Sequence, residues 1–345
     1  MKKLTLIVIA IVAVAALASA GAYAILTSSS PNPCAGTTLA TGEGTPTNPS
    51  DLPPLSAGST GAANVASGTV IQVVAGENFW GSLVAQLGGN RTSVLSIVND
   101  PNADPHEYQA NTSDAQAFGN AHFVIVNGVG YDDWALQLIT ASAASNQVVL
   151  NVGNLNGVSV SGGIVTGNPH MWYNPTYVNH TVAAMYSDLV SIQPSSTSYF
   201  QGNYAALNVS LGKLDAQANA IRDTFAGTTV ASTESIFVYL ANYTRLNLVS
   251  PPEFMKAVAE GNDPPTQSVV TFQCQLQTGK VSVLVYNEQT VTPITSNVKT
   301  IAADSGTATV GITETIQPPT STFQEWMGAQ YIQIYNALNA NALAQ

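Results

Sequence analysis

The stretch from Tyr199 to Phe225 constrains the fold of this 345-residue chain more than any other. Phe200, Tyr204, Leu207, Leu211, Leu214, Ile221 and Phe225 fall on steps of 4, 3, 4, 3, 7 and 4, interrupted by no proline and by glycine only at 202 and 212. That spacing sets the apolar side chains on one face of a single helix. At ~1.5 Å per residue such a helix reaches across a whole small domain, so it serves as a rod between bodies.

Both sides of the rod alternate strand and helix. Before it, the β-branched run 69–75 and the runs 94–98 and 122–126 read as strands, with helices over 79–87 and 111–119. Gly88-Gly89 marks the end of the first helix. After Gly227 the pattern predicts strands at 229–232, 247–249, 281–285 and 309–312. Helices are expected at 236–243, 269–277, 296–303 and from Phe323 onward. The expected fold class is α/β: two lobes, each a mostly parallel sheet flanked by helices, joined by one long rigid helix. The expected boundaries are 67–195 for the N-terminal lobe, 196–227 for the connecting helix and 228–345 for the C-terminal lobe.

Residues 1–66 read differently. Lys2 and Lys3 precede an uncharged apolar run over 4–26, long enough to span a bilayer. Ala18-Ser19-Ala20 and Ala22-Tyr23-Ala24 offer small-residue cleavage patterns. Residues 1–26 are therefore a membrane anchor or a signal segment, and either role places the rest outside the cytoplasm. Of the 40 residues 27–66, 24 are Ser, Thr, Pro or Gly, which reads as a solvated linker. Five Asn-x-Ser/Thr sequons, at Asn90, Asn111, Asn179, Asn208 and Asn242, suit a glycoprotein at the cell surface. The two cysteines, Cys34 and Cys274, are too few for a zinc knuckle; an oxidising location permits a bridge between them.

Nine basic residues against 20 acidic ones, with a net charge of −11 and no basic stripe, exclude a nucleic-acid partner. Chemistry must come from few residues. Of the four histidines, His106 in Asn102-Ala-Asp-Pro-His-Glu-Tyr108 and His170 in Asn168-Pro-His-Met-Trp172 each follow a proline, in loops expected to leave sheet strands. Proline stiffens such a loop, and ligands of parallel sheets gather outside the strands' carboxyl ends. His122, which begins a strand, reads as structural, and His180 as solvent-facing. Two imidazoles without paired cysteines call for carboxylates to complete a metal site. Glu234 and Glu314 stand at strand ends of the second lobe, with Glu288 and Asp304 as second choices. Glu253, Glu260 and Asp263 read as solvated in a loop. In Asp132-Asp133 a helix N-cap is expected of one residue rather than chelation.

These motifs, with Gly76-Glu-Asn-Phe-Trp-Gly81, Val126-Asn-Gly-Val-Gly-Tyr-Asp-Asp-Trp134, Tyr286-Asn-Glu-Gln-Thr290 and Gly311-Ile-Thr-Glu-Thr315, resemble those of cluster A-I metal-binding proteins. These are the zinc/manganese solute-binding lipoproteins of ABC importers. The resemblance runs from about residue 69 to about 335. It implies a metal held in the cleft between the lobes by one ligand from each of four loops: His106, His170, Glu234 and Glu314. Glu234 takes a position that is His in zinc-type members and often Glu in manganese-type ones, and Glu314 stands where Asp is usual. The family's His-rich acidic loop is absent.

The expected function is that of an extracytoplasmic solute-binding protein, not an enzyme. It would capture one divalent transition metal ion, Zn2+ first with Mn2+ or Fe2+ also accommodated, and deliver it to an ABC permease and its ATPase. A monomer tethered to the membrane by its N-terminal segment is expected. Binding should weaken as pH falls through ~6.5, where imidazole takes up a proton. An extracellular zinc hydrolase and a metal-stabilised surface adhesin are the alternatives. The hydrolase reading lacks His-Glu-x-x-His.

Overall fold

The computed structural model describes residues 50, 52–101, 105–142, 144–158, 160–161, 164–165 and 167–344. The apolar run 4–26 and Cys34 lie outside the described residues. Among those described, no helix is long and apolar enough to cross a membrane.

The first lobe is built on β1 (Ser59–Ala62), β2 (Ile71–Glu77), β3 (Thr92–Val98), β4 (Phe123–Val126) and β5 (Gln147–Asn151). They lie in the order β1-β5-β4-β2-β3, all parallel except β1, which runs antiparallel to β5. The four residues of β4 are all buried, as expected of a central strand with helices on both faces. Those helices are α1 (Asn78–Gly88), α2 (Thr112–Asn120), α3 (Asp133–Ser142) and α4 (Pro175–Ile192). Asn111 and Asp114 form a capping box that starts α2. Asn174 caps α4, with Pro175 in its first turn.

Strand β1 corrects one expectation. Ser59–Ala62 falls in the stretch read as a solvated linker, yet it pairs with β5, and Ala63 and Val65 beyond it are buried. Small residues suffice there because the edge position needs backbone hydrogen bonds rather than large side chains.

The rod is α5, Thr197–Phe225, which buries Phe200, Leu207, Leu211, Leu214, Ala218, Ile221 and Phe225. Tyr204, half-buried, stacks on Tyr186 of α4 with ring centroids 4.6 Å apart. Beyond it the second lobe carries β6 (Thr229–Ser232), β7 (Asn247–Leu248), β8 (Val283–Asn287) and β9 (Ala308–Ile312). These are parallel and ordered β9-β8-β6-β7. Around them lie α6 (Val238–Tyr243), α7 (Pro252–Ala259), α8 (Thr266–Gln277), α9 (Pro293–Asp304) and α10 (Phe323–Ala344). Glu253, read as lying in a loop, sits on α7, and with Glu260 and Asp263 it is exposed.

One hydrophobic core runs from Val73 and Phe79 through Leu211 and Leu214 of the rod to Val283 and Ile312. Each buried Leu or Phe stabilises such a core by about 1.5–3 kcal/mol. Wide separation of the lobes would expose several at once, so this architecture allows tilting but opposes a broad swing.

Candidate metal centre

The parallel order decides which side chains can meet. In the second lobe β9, β8 and β6 are neighbours, so the residues just past their carboxyl ends emerge side by side: Glu314 after β9, Asn287 at the end of β8 and Glu234 after β6. From the first lobe come His106, in a single 3-10 turn Pro105–Glu107, and His170, which caps the turn Met171–Tyr173. One possible ligand atom from each of His106, His170, Glu234 and Glu314 lies within 4.8 Å of all the others. The second-choice carboxylates Glu288 and Asp304 are exposed and stand outside this group.

The imidazole of His170 is fully buried and its tautomer is fixed from behind. Asn168 donates through Nδ2 to the Ser235 carbonyl at 2.7 Å, so its Oδ1 faces the ring, 2.6 Å from Nδ1. Nδ1 therefore carries the proton, and Nε2 keeps a free lone pair. Nε2 has no hydrogen-bond partner and lies 3.6 Å from Glu234 Oε1 and 3.8 Å from Glu314 Oε2. A buried lone pair aimed between two carboxylates is what a cation-binding imidazole requires. His106 Nε2 stands 3.5 Å from Glu314 Oε2, and its ring meets Tyr131 edge-on at 4.7 Å.

Tyr131 donates its hydroxyl to Glu314 Oε2 at 2.6 Å. It follows three residues with positive φ: Gly128 (74°), Val129 (57°) and Gly130 (78°). A β-branched residue in that region is a strained outlier. Asp132 holds the loop in place: its carboxylate accepts the N–H groups of Asn127 at 2.6 Å and Gly128 at 2.7 Å. It thus closes the preceding loop from the position just before α3, where the sequence suggested a helix N-cap by Asp132 or Asp133. His180 also departs from expectation: it is half-buried, with Nδ1 3.0 Å from Asn156 Oδ1.

Electrostatics favour a cation here. Burial pushes the Glu234 carboxyl well above its ordinary range, and the charge of Glu314 pushes it further. Burial opposes ionisation of Glu314 too. The charge of His106, the contacts to His170 and the Tyr131 hydrogen bond outweigh it and bring Glu314 down to about 2. Burial lowers His170, so its ring is neutral and ready to bind. Two adjacent buried carboxyls cannot both ionise without compensation; a shared proton or a cation supplies it.

A family model described as the periplasmic component A of the zinc-uptake complex, ZnuA, matches residues 73–337. The chain belongs to this family. Among curated relatives, the manganese-binding lipoprotein MntA of Halalkalibacterium halodurans is 28% identical over 150 residues, 43% of this chain and 48% of the relative. The zinc-binding protein TroA of Treponema pallidum is 28% identical over 124 residues, 35% of this chain and 40% of the relative. The match thus spans about half, or less, of the length of these curated relatives. The solved structure of periplasmic TroA superposes with a TM-score of 0.66 at 16% identity, covering 78% of this chain and 99% of that one. The crystal structure of ZnuA gives 0.64 at 19% identity, with 78% and 99% covered. At that identity the likeness speaks for the fold, and the fold is the two-lobed one joined by a long helix.

Residues that sequence reasoning left without a role surround the cluster: Tyr131, Asn168, Asn287 and Thr290. All four lie inside motifs that carry the family resemblance. Asn168 stands two residues before His170, the spacing that could have pointed to it.

Proposed function

We propose that this chain is an extracytoplasmic solute-binding protein that captures a divalent transition metal through His106, His170, Glu234 and Glu314. It would hand the ion to an ABC permease and its ATPase. The observation that carries this reading is the buried Nε2 of His170, bare of hydrogen bonds and facing both carboxylates. Because each lobe supplies two of the four groups, binding and lobe arrangement share one free energy. Two imidazoles and two carboxylates suit Zn2+ and also accept Mn2+. The names of MntA and TroA as manganese- and zinc-binding proteins support that choice. Tethering through residues 1–26, glycosylation at the sequons and a monomeric state belong to the same reading. The hydrolase alternative loses ground to the family and to the donor count, since four protein groups leave a tetrahedral ion no position for water.

Metal analysis of the purified protein, followed by titration with zinc and manganese, tests it. One ion per chain is expected, bound reversibly, with a melting temperature that falls on chelation. His106→Ala and His170→Ala should each weaken binding by at least about 10-fold, the lower end seen even for outer partners of a metal. A chain that takes up neither ion, or two variants that bind as the parent does, would overturn the assignment.

A further inference from the structure

Asn287 is 2% exposed, and its amide stands between the two carboxylates. Oδ1 accepts the backbone N–H of Gln289 at 2.9 Å, and an N–H can face only an acceptor, so Nδ2 must point the other way. Nδ2 lies 2.6 Å from Glu314 Oε1, 3.1 Å from Glu234 Oε2, 3.2 Å from Glu234 Oε1 and 2.9 Å from Thr290 Oγ1. The Thr290 hydroxyl in turn bonds to Glu234. Glu314 is therefore divided between two duties. Oε1 belongs to Asn287, while Oε2 faces His106, His170 and the Tyr131 hydroxyl. Glu234 is held less selectively: both of its oxygens lie within reach of the amide, and Oε1 also faces His170 Nε2.

We propose that Asn287 is a specificity-determining residue: its amide holds Oε1 of Glu314, leaves Oε2 of that carboxylate for the cation, and so favours ions content with four ligands over ions that need more. Two imidazole nitrogens and two single carboxylate oxygens make a tetrahedral set, which Zn2+ prefers. Mn2+ prefers six ligands, mostly oxygen. It would gain them most directly if Glu314 and Glu234 turned bidentate, and for Glu314 that means breaking the 2.6 Å contact with Asn287. The strand order gives the residue its place, since β8 lies between β9 and β6 and its last residue emerges between the two acidic ones.

The inference rests on the metal-binding reading above, and the experiment separates the two. Zinc and manganese affinities are measured by competition titration for the full chain and for Asn287→Ala and Asn287→Leu, the second filling the space without donors. X-ray absorption on the loaded proteins counts the ligands. The parent should favour zinc and show four ligands. Both variants should lose about 10–100-fold in the zinc-to-manganese affinity ratio, the scale of outer-partner effects on metals, and the ligand number of bound manganese should rise. Melting curves of the metal-free variants show that they fold. A folded variant with an unchanged ratio and ligand number overturns the role of Asn287. A parent chain that binds neither ion overturns the metal-binding reading instead.

Discussion

Tyr131 of the first lobe donates a 2.6 Å hydrogen bond to Glu314 of the second, on the oxygen that also faces both histidines. The hydroxyl fixes that oxygen before any ion arrives, and a hydrogen bond to a charged group contributes about 1.5–3 kcal/mol. Tyr131→Phe should therefore lower metal affinity by roughly 10-fold while leaving the ring's packing against Trp172 and His106 in place. Titration calorimetry on parent and variant measures it. Equal affinities would mean that Glu314 is oriented by its other contacts alone.

With Glu234 as a ligand, as proposed, metal uptake would carry a proton cost. Burial and the charge of Glu314 hold its carboxyl protonated well above the usual range, whereas the lowered His170 is already neutral. On the proposed metal-binding reading an arriving cation would expel the Glu234 proton, so affinity should rise with pH until that carboxyl ionises unaided. Calorimetry in two buffers of different ionisation enthalpy should show about one proton released per ion near neutral pH. Glu234→Gln should bind more weakly and release none. Unchanged release in that variant would assign the proton to another group.

Much of this arrangement was legible in the sequence because its signals are periodic or punctuated. The rod announced itself through Phe200 to Phe225, and Pro105 and Pro169 marked the stiff loops that bear the histidines. Strand ends located Glu234 and Glu314. What escaped was whatever depends on pairing between distant segments. Ser59–Ala62 has no apolar alternation of its own and becomes a strand only because β5 offers a free edge. For Asp132-Asp133 the sequence suggested a helix cap by one of the two, and gave no sign of the bonds that Asp132 sends back to the loop. Only the turn at 128–130 brings the Asn127 and Gly128 N–H groups within its reach. Asn287 gained meaning from the order of three strands, which no local pattern encodes.

The rod still carries two avoidable costs. Gly202 and Gly212 lie on its exposed face, and a Cβ added at either meets nothing within 4 Å. Glycine inside a helix is less stable than alanine by roughly 0.5–1 kcal/mol. Gly202→Ala and Gly212→Ala should each raise the unfolding free energy by about that amount, nearly additively at ten residues' separation. Chemical denaturation reads the change. A loss of stability in either variant would show that the helix needs flexibility there.

The pair Glu77 and Asp132 should make the metal-free protein sensitive to pH by a separate route. Both are buried, 1% and 0% exposed, and the charge of Asp132 opposes ionisation of Glu77. Burial, then the charge of Asp132, raises Glu77 well above its ordinary range. Burial raises Asp132 to about 6 against the opposing N–H groups of Gly128 and Asn127. Carboxyls raised in the folded state stabilise it fully below the unfolded value of ~4 and lose that contribution as pH climbs through the folded value. The loss is about 1.4 kcal/mol per pH unit for each group over that window. On this account the melting temperature of the metal-free chain declines as pH rises from ~4 through about 6, where Asp132 ionises, with Glu77 extending the decline upward. Glu77→Gln removes the titrating group and the charge beside Asp132, so its profile should be flatter over the same range. A variant whose melting temperature tracks the parent's at every pH would mean that the pair does not titrate there, and that the strained turn before Tyr131 is held by the Asp132 carboxylate alone.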